Sequence, residues 1–192
     1  MTATPSTMLA LGTQAPDFAL RNVVDDTVVS LAGLGPKRAL LVMFICNHCP
    51  YVVHVLGELT KLAAEYQPKG VAIVAINANA IETHPQDGPA EMKKLAKRLG
   101  WGFPFLFDET QEVAKAYRAA CTPDLFLFDG SRKLVYRGQL DDSRPGNGVP
   151  VTGRDLRAAL QSVLAGAPVA ERQKPSVGCS IKWRGAPPEY LR

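Results

Sequence analysis

Two unbroken apolar runs frame this chain. Residues 39–45 (Ala-Leu-Leu-Val-Met-Phe-Ile) and 71–76 (Val-Ala-Ile-Val-Ala-Ile) contain no polar position, so both read as strands covered on both faces, the pattern of a parallel sheet. Between them Val52, Val53, Leu56, Leu59, Leu62, Ala63 and Tyr66 recur at helical spacing, and Pro68-Lys69-Gly70 ends the pattern. Strand, helix and parallel strand make a βαβ unit, which sets the class as α/β.

The flanks add to this core. Residues 15–31 alternate apolar and polar positions around Asp25-Asp26, which predicts an N-terminal β-hairpin. Residues 77–88 are a polar loop carrying Asn77, Asn79 and Glu82 at the carboxyl end of a strand, the edge where α/β folds place ligands. A helix over 89–99 opens on Pro89 and turns Met92, Leu95, Ala96 and Leu99 to one face. There follow a strand at 105–107, a short helix at 110–117 and a hairpin of 124–129 with 133–137 around Gly130-Ser131. A closing helix at about 153–164 repeats Leu156, Leu160 and Leu164, and the Pro-rich tail beyond it has no periodicity. The expected organisation is a flexible lead-in over 1–14, one domain over 15–166 and a C-terminal extension over 167–192.

Length and composition agree with a single core: 192 residues, 46% of them hydrophobic. The net charge of +4 comes from 22 basic and 18 acidic residues spread along the chain, which is no footprint for nucleic acid. No stretch is long and apolar enough for a membrane span, and residues 1–7 lack the charged start of a secretory signal, so a cytoplasmic protein with no membrane partner is expected. Four cysteines are too few for a disulfide scaffold. They are catalytic, metal-binding or simply buried, and spacing separates these options.

Cys46-Asn47-His48-Cys49 directly follows the first apolar strand and opens the helix after it. Free N–H groups at a helix start favour a thiolate, and two intervening residues bring the sulfurs within disulfide reach. Pro50, tolerated only in a first helical turn, pins the helix start near 46–49. A zinc site would need a second ligand pair, and no other CxxC and no HxxxH exists. CxxC inside a βαβ unit therefore points to redox chemistry. An imidazolium at His48 would stabilise the neighbouring thiolate; the plain alternative is a solvated loop histidine. His54 reads as helix surface, and the loop 141–147, with Arg144, reads as a solvated turn or a rim to the site.

The segments VMFICNHCPYV, VAIVAIN, DETQEVAKAY, AACTPDLFLFD, LVYRGQLDDSRPGN and PSVGCSIKW together resemble the peroxiredoxin-like, CxxC-containing branch of the thioredoxin superfamily, related to the AhpC/TSA group. The likeness runs from about Ala15 to Trp183. It implies a thioredoxin-like α/β fold: a central mixed sheet flanked by helices, with the N-terminal hairpin and C-terminal extension as additions. It also implies thiol–disulfide exchange without cofactor or metal, on protein disulfides or small thiols such as glutathione, with hydroperoxides as a further substrate class. Cys46 falls where thioredoxins carry the attacking thiolate and Cys49 where they carry the resolving one. Peroxiredoxins instead align their peroxide-reacting cysteine with Cys49, and the positions of their orienting hydroxyl and proline hold Cys46 and Val42. Without that hydroxyl the charge developing on the leaving oxygen is poorly stabilised, so peroxide reduction should be slow.

By the same resemblance Thr122-Pro123 is the cis bond beside the thiols, exposing the Thr122 backbone to an extended substrate. Cys121 reads as a small buried residue and Cys179 as a tail thiol; a Cys121–Cys179 accessory redox pair is the alternative. From a different class, a Cu(I)-handling module would use the cysteine pair with His84 as third ligand. The two-residue spacing favours disulfide chemistry over copper.

Overall fold

A computed structural model describes residues 3–191. In chain order its strands are β1 (Ala3–Pro5), β2 (Ala19–Asn22), β3 (Val28–Ser30), β4 (Ala39–Phe44), β5 (Val71–Asn77), β6 (Phe105–Phe107), β7 (Cys121–Thr122), β8 (Asp124–Asp129), β9 (Leu134–Arg137) and β10 (Val177–Ser180). The helices are α1 (Pro50–Tyr66), α2 (Pro89–Arg98), α3 (Glu112–Ala116) and α4 (Arg154–Leu164). Seven strands form the central sheet in the order β3-β2-β6-β5-β4-β8-β9. Pairs β4–β5 and β5–β6 are parallel, and β4–β8, β8–β9 and β2–β6 are antiparallel, so the sheet is mixed.

The apolar run in β4 has a direct cause. Leu41 and Met43 pack into one core with residues of α1, α2 and α4, while Leu40, Val42 and Phe44 pack into a second core with Ala114 of α3, Tyr117 and Phe126. A strand buried on both faces keeps no polar position, and each such side chain contributes about 1.5–3 kcal/mol on burial. The same strand delivers Cys46 to the sheet's carboxyl edge. Helix α1 starts immediately afterwards, with Cys49 as an extended N-cap (φ −64°, ψ 122°) and Pro50 in the first turn. The helix therefore begins at the far end of the predicted 46–49 window, and Cys46 precedes it.

The chain ends depart from expectation. Instead of a loose lead-in, residues 3–5 form β1, while the first two residues of the expected flexible segment lie outside the described residues. Within the aperiodic tail, β10 forms a second, three-stranded sheet in the order β1-β10-β7. Strands of two to four residues are too short to show a period, and their pairing is decided by tertiary contact. Gly178 permits the closest of these contacts: a Cβ there would stand 2.0 Å from the Thr122 carbonyl oxygen.

Candidate active site

Strand β4, the N-terminus of α1, the loop after β5 and the β7–β8 junction converge on the two thiols. Cys46 and Cys49 are free and buried, at 1% and 0% exposure. The Thr122–Pro123 bond is cis. Thr122 touches both sulfurs: its Oγ1 lies 3.5 Å from Cys46 Sγ, and its carbonyl accepts a hydrogen bond from Cys49 at 3.1 Å.

The two thiols titrate as one unit. The hydrogen bond between them solvates whichever sulfur ionises, so the first proton leaves more readily than from a free thiol. The same bond, burial and the carboxylate of Asp87 hold the second proton firmly. The ultraviolet absorbance of thiolate should accordingly rise in one step below about 8.5, the ordinary value for cysteine, with a second step well above it. A Cys49→Ser protein should lose the low step; an unchanged titration would show that the thiols do not share a proton.

Asp87 is the site residue that the sequence concealed. Fully buried, it accepts from the backbone N–H of Asn47 (2.9 Å) and His48 (3.3 Å) and from Asn79 Nδ2 (2.8 Å). Its Oδ2 lies 2.5 Å from His48 Nδ1, which in turn is 3.9 Å from Cys46 Sγ. Asn77 Nδ2 holds the Asp87 carbonyl at 2.7 Å. One carboxylate thus fixes the whole CxxC turn. In the sequence Asp87-Gly88 resembles any surface turn, and only the placement of Asn77 and Asn79 in the same loop pointed to this edge.

Asp87→Asn should move the second, higher thiol ionisation to lower pH, because it removes the negative charge facing Cys46. It should also cost about 1–3 kcal/mol, since the new amide faces the Asn79 amide donor-to-donor and leaves a buried group unpaired. Titration and denaturant unfolding read the two effects separately.

His84 stands apart from the sulfurs. It stacks on His48 with ring centroids 5.0 Å apart and turns Nδ1 to Thr83 Oγ1 at 2.9 Å. Among the described residues the potential ligand atoms that gather within 4.8 Å are those of Cys46, His48 and Asp87, so the rival copper set with His84 is not the one assembled. The nitrogen that would bind metal is engaged with the Asp87 carboxylate.

The alternative Cys121–Cys179 pair is not assembled. Cα partners across β7–β10 are Cys179 with Thr122 and Ser180 with Cys121, so alternation sends the two thiols to opposite faces. Cys121 Sγ faces the carbonyls of Pro123 (3.5 Å) and Ser176 (4.0 Å), and burial pushes its thiol well up. Cys179, 3% exposed, instead joins the core that holds Cys46 and Cys49. His54 is tied to Ser143 at 2.7 Å, and the Arg144 guanidinium is anchored to Gln139 Oε1 and to the carbonyls of Asp141 and Ser143. Tyr51, Pro123, Ser143 and Arg144 line a narrow cleft beside the site.

Among the described residues no helix is long and apolar enough to cross a membrane. The chain is similar to a solved uncharacterized conserved protein from Geobacillus kaustophilus, at 60% identity and TM-score 0.95 over 97% of this chain and 99% of that one. A hypothetical protein, SMc02350 from Sinorhizobium meliloti, shares 49% identity with TM-score 0.93, covering 95% of this chain and 100% of that one. The thioredoxin-like fold also matches a thiol:disulfide interchange protein of the thioredoxin family from Chlorobium tepidum, at TM-score 0.61 and 20% identity over 81% of this chain and 99% of that one. Among curated relatives, the thiol-disulfide oxidoreductase ResA of Geobacillus thermodenitrificans is 27% identical over 164 residues, 83% of this chain and 82% of that protein. Residues 11–137 match the AhpC/TSA family across both the thiol pair and the cis-proline strand, and the chain belongs to that family.

Proposed function

We propose that the protein is a thiol–disulfide oxidoreductase in which Cys46 attacks and Cys49 resolves. The observation that carries this reading is the placement of a free cysteine pair at the β4–α1 junction, with Thr122 in contact with both sulfurs. With the shared proton resting on Cys49, the Cys46 thiolate attacks one sulfur of a substrate disulfide, forming a mixed disulfide and expelling the other sulfur as a thiolate. Cys49 then attacks Cys46 Sγ, the mixed disulfide breaks, and the second substrate thiolate departs. The substrate gains two electrons and the protein is left with a Cys46–Cys49 disulfide.

The substrate class that fits this chemistry is a protein disulfide or a glutathione mixed disulfide. Trapping tests it: Cys49→Ser protein should stay linked through Cys46 to its substrate, and recovery of glutathione alone would restrict the class to small thiols. Hydroperoxide is a slow substrate in this reading. Cys46 stands where the family's peroxidases carry a hydroxyl, so peroxide consumption as fast as disulfide exchange would reverse the ranking.

His48, held 3.9 Å from Cys46 Sγ by its bond to Asp87, supplies a cationic partner to the thiolate whenever it is protonated. Stabilising the thiolate favours the reduced form and makes the couple more oxidising than thioredoxin's roughly −270 mV. His48→Ala should therefore shift the couple to more negative potential in a glutathione titration. An unchanged midpoint would reduce His48 to a packing role.

A further inference from the structure

The backbone edge of Thr122, expected to await an extended substrate, is already occupied. Strand β10 lies antiparallel to β7 with Cys179 opposite Thr122, the place a strand added by a partner would take. Directly paired residues project from the same face, so Cys179 shares the face from which the Thr122 hydroxyl contacts Cys46, while the Thr122 carbonyl accepts from Cys49. Gly178 makes the approach geometrically feasible, since any side chain there would collide with the Thr122 carbonyl. Cys179 is buried in the same core as Cys46 and Cys49. Burial, with the Cys49 sulfur nearby, pushes Cys179 up to about 12 in the reduced protein. Oxidation of the pair leaves no thiolate there to oppose ionisation of Cys179.

We propose that Cys179 is a third redox thiol, an internal exchange partner of Cys49 seated where a substrate strand would otherwise bind. After the Cys46–Cys49 disulfide has formed, Cys179 attacks Cys49 Sγ. The Cys46–Cys49 bond breaks, a Cys49–Cys179 disulfide forms, and the proton of Cys179 ends on Cys46. The rearrangement is an isomerisation that needs no further oxidant. It returns Cys46 as a thiol while the oxidising equivalent stays inside the protein, and it needs no opening of the buried site. The relay rests on the cycling of Cys46 and Cys49 proposed above.

Peptide mapping tests both levels. Full-length protein is oxidised with limiting glutathione disulfide, quenched in acid, alkylated, digested with trypsin and analysed by mass spectrometry. Wild type should give the closed Cys46–Cys49 loop together with a cross-link joining fragments 39–61 and 173–182. Cys179→Ser protein should close the Cys46–Cys49 loop without the cross-link, and Cys121→Ser should leave the cross-link in place. If wild type closes the Cys46–Cys49 loop but forms no Cys179 cross-link, the relay is wrong and the oxidoreductase reading stands. If wild type closes no loop at all, the underlying reading falls and the relay with it.

Discussion

Replacing Cys46 with serine should abolish disulfide exchange, a fall of at least about 10³-fold, because losing a nucleophile costs an enzyme several orders of magnitude. A hydroxyl is not nucleophilic toward sulfur at neutral pH, and Cys49 left alone has no partner thiol with which to complete the exchange. The fold should persist. The introduced hydroxyl would have Thr122 Oγ1, now 3.5 Å from Cys46 Sγ, as a hydrogen-bond partner, so the loss cannot be attributed to collapse of the site. Reduction of a fluorescent glutathione mixed disulfide, alongside circular dichroism, measures both. Full activity in Cys46→Ser combined with none in Cys49→Ser would exchange the two roles and bring the protein closer to a peroxidase arrangement.

The second large effect is expected at a position with no reactive group. Gly178→Ala should lift β10 from the sheet edge, because the new methyl carbon meets main-chain atoms on three counts: Thr122 O at 2.0 Å, Thr122 C at 2.6 Å and Pro123 N at 3.2 Å. Backbone cannot swing aside as a flexible side chain can. Overpacking typically costs about 1–3 kcal/mol, and a rigid contact of this kind belongs at the upper end. For a chain of this size the loss corresponds to a Tm lower by roughly 5–10 °C. Cys49 and Cys179 should become reactive to alkylating reagents in the folded protein. Gly57→Ala is the matching control: it lies within α1 with no atom near its would-be Cβ, and it should stabilise by about 0.5–1 kcal/mol. Equal stability of the two variants would show that the β7–β10 contact yields readily.

The parts of this architecture that were legible in the sequence are those with a strong local signal. The strands β4 and β5 are buried on both faces, so nearly every residue in them had to be apolar, and Cys46-Asn47-His48-Cys49 between strand and helix announced its chemistry by spacing alone. Cys121-Thr122-Pro123 was legible through family likeness. What escaped was built from non-local contacts between ordinary residues. Asp87 acts only because the loop after β5 folds back over the CxxC turn, and nothing about an Asp-Gly dipeptide predicts that partner. The small sheet β1-β10-β7 unites residues from both ends of the chain, and its strands are too short for periodicity. That pairing alone decides that Cys179 faces Cys49 and that Cys121 faces away.

The order of synthesis acquires a meaning from this sheet. Cys46 and Cys49 leave the ribosome long before β10 exists, and at about 5–20 residues per second the interval lasts roughly ten seconds. During that time nothing of β10 covers the Thr122 edge, and the nascent thiols are open to any disulfide they meet. The finished protein closes over the pair only when its last strand arrives. A newborn chain and a mature one therefore present different chemistry to the cell, and the passage from one to the other is set by translation.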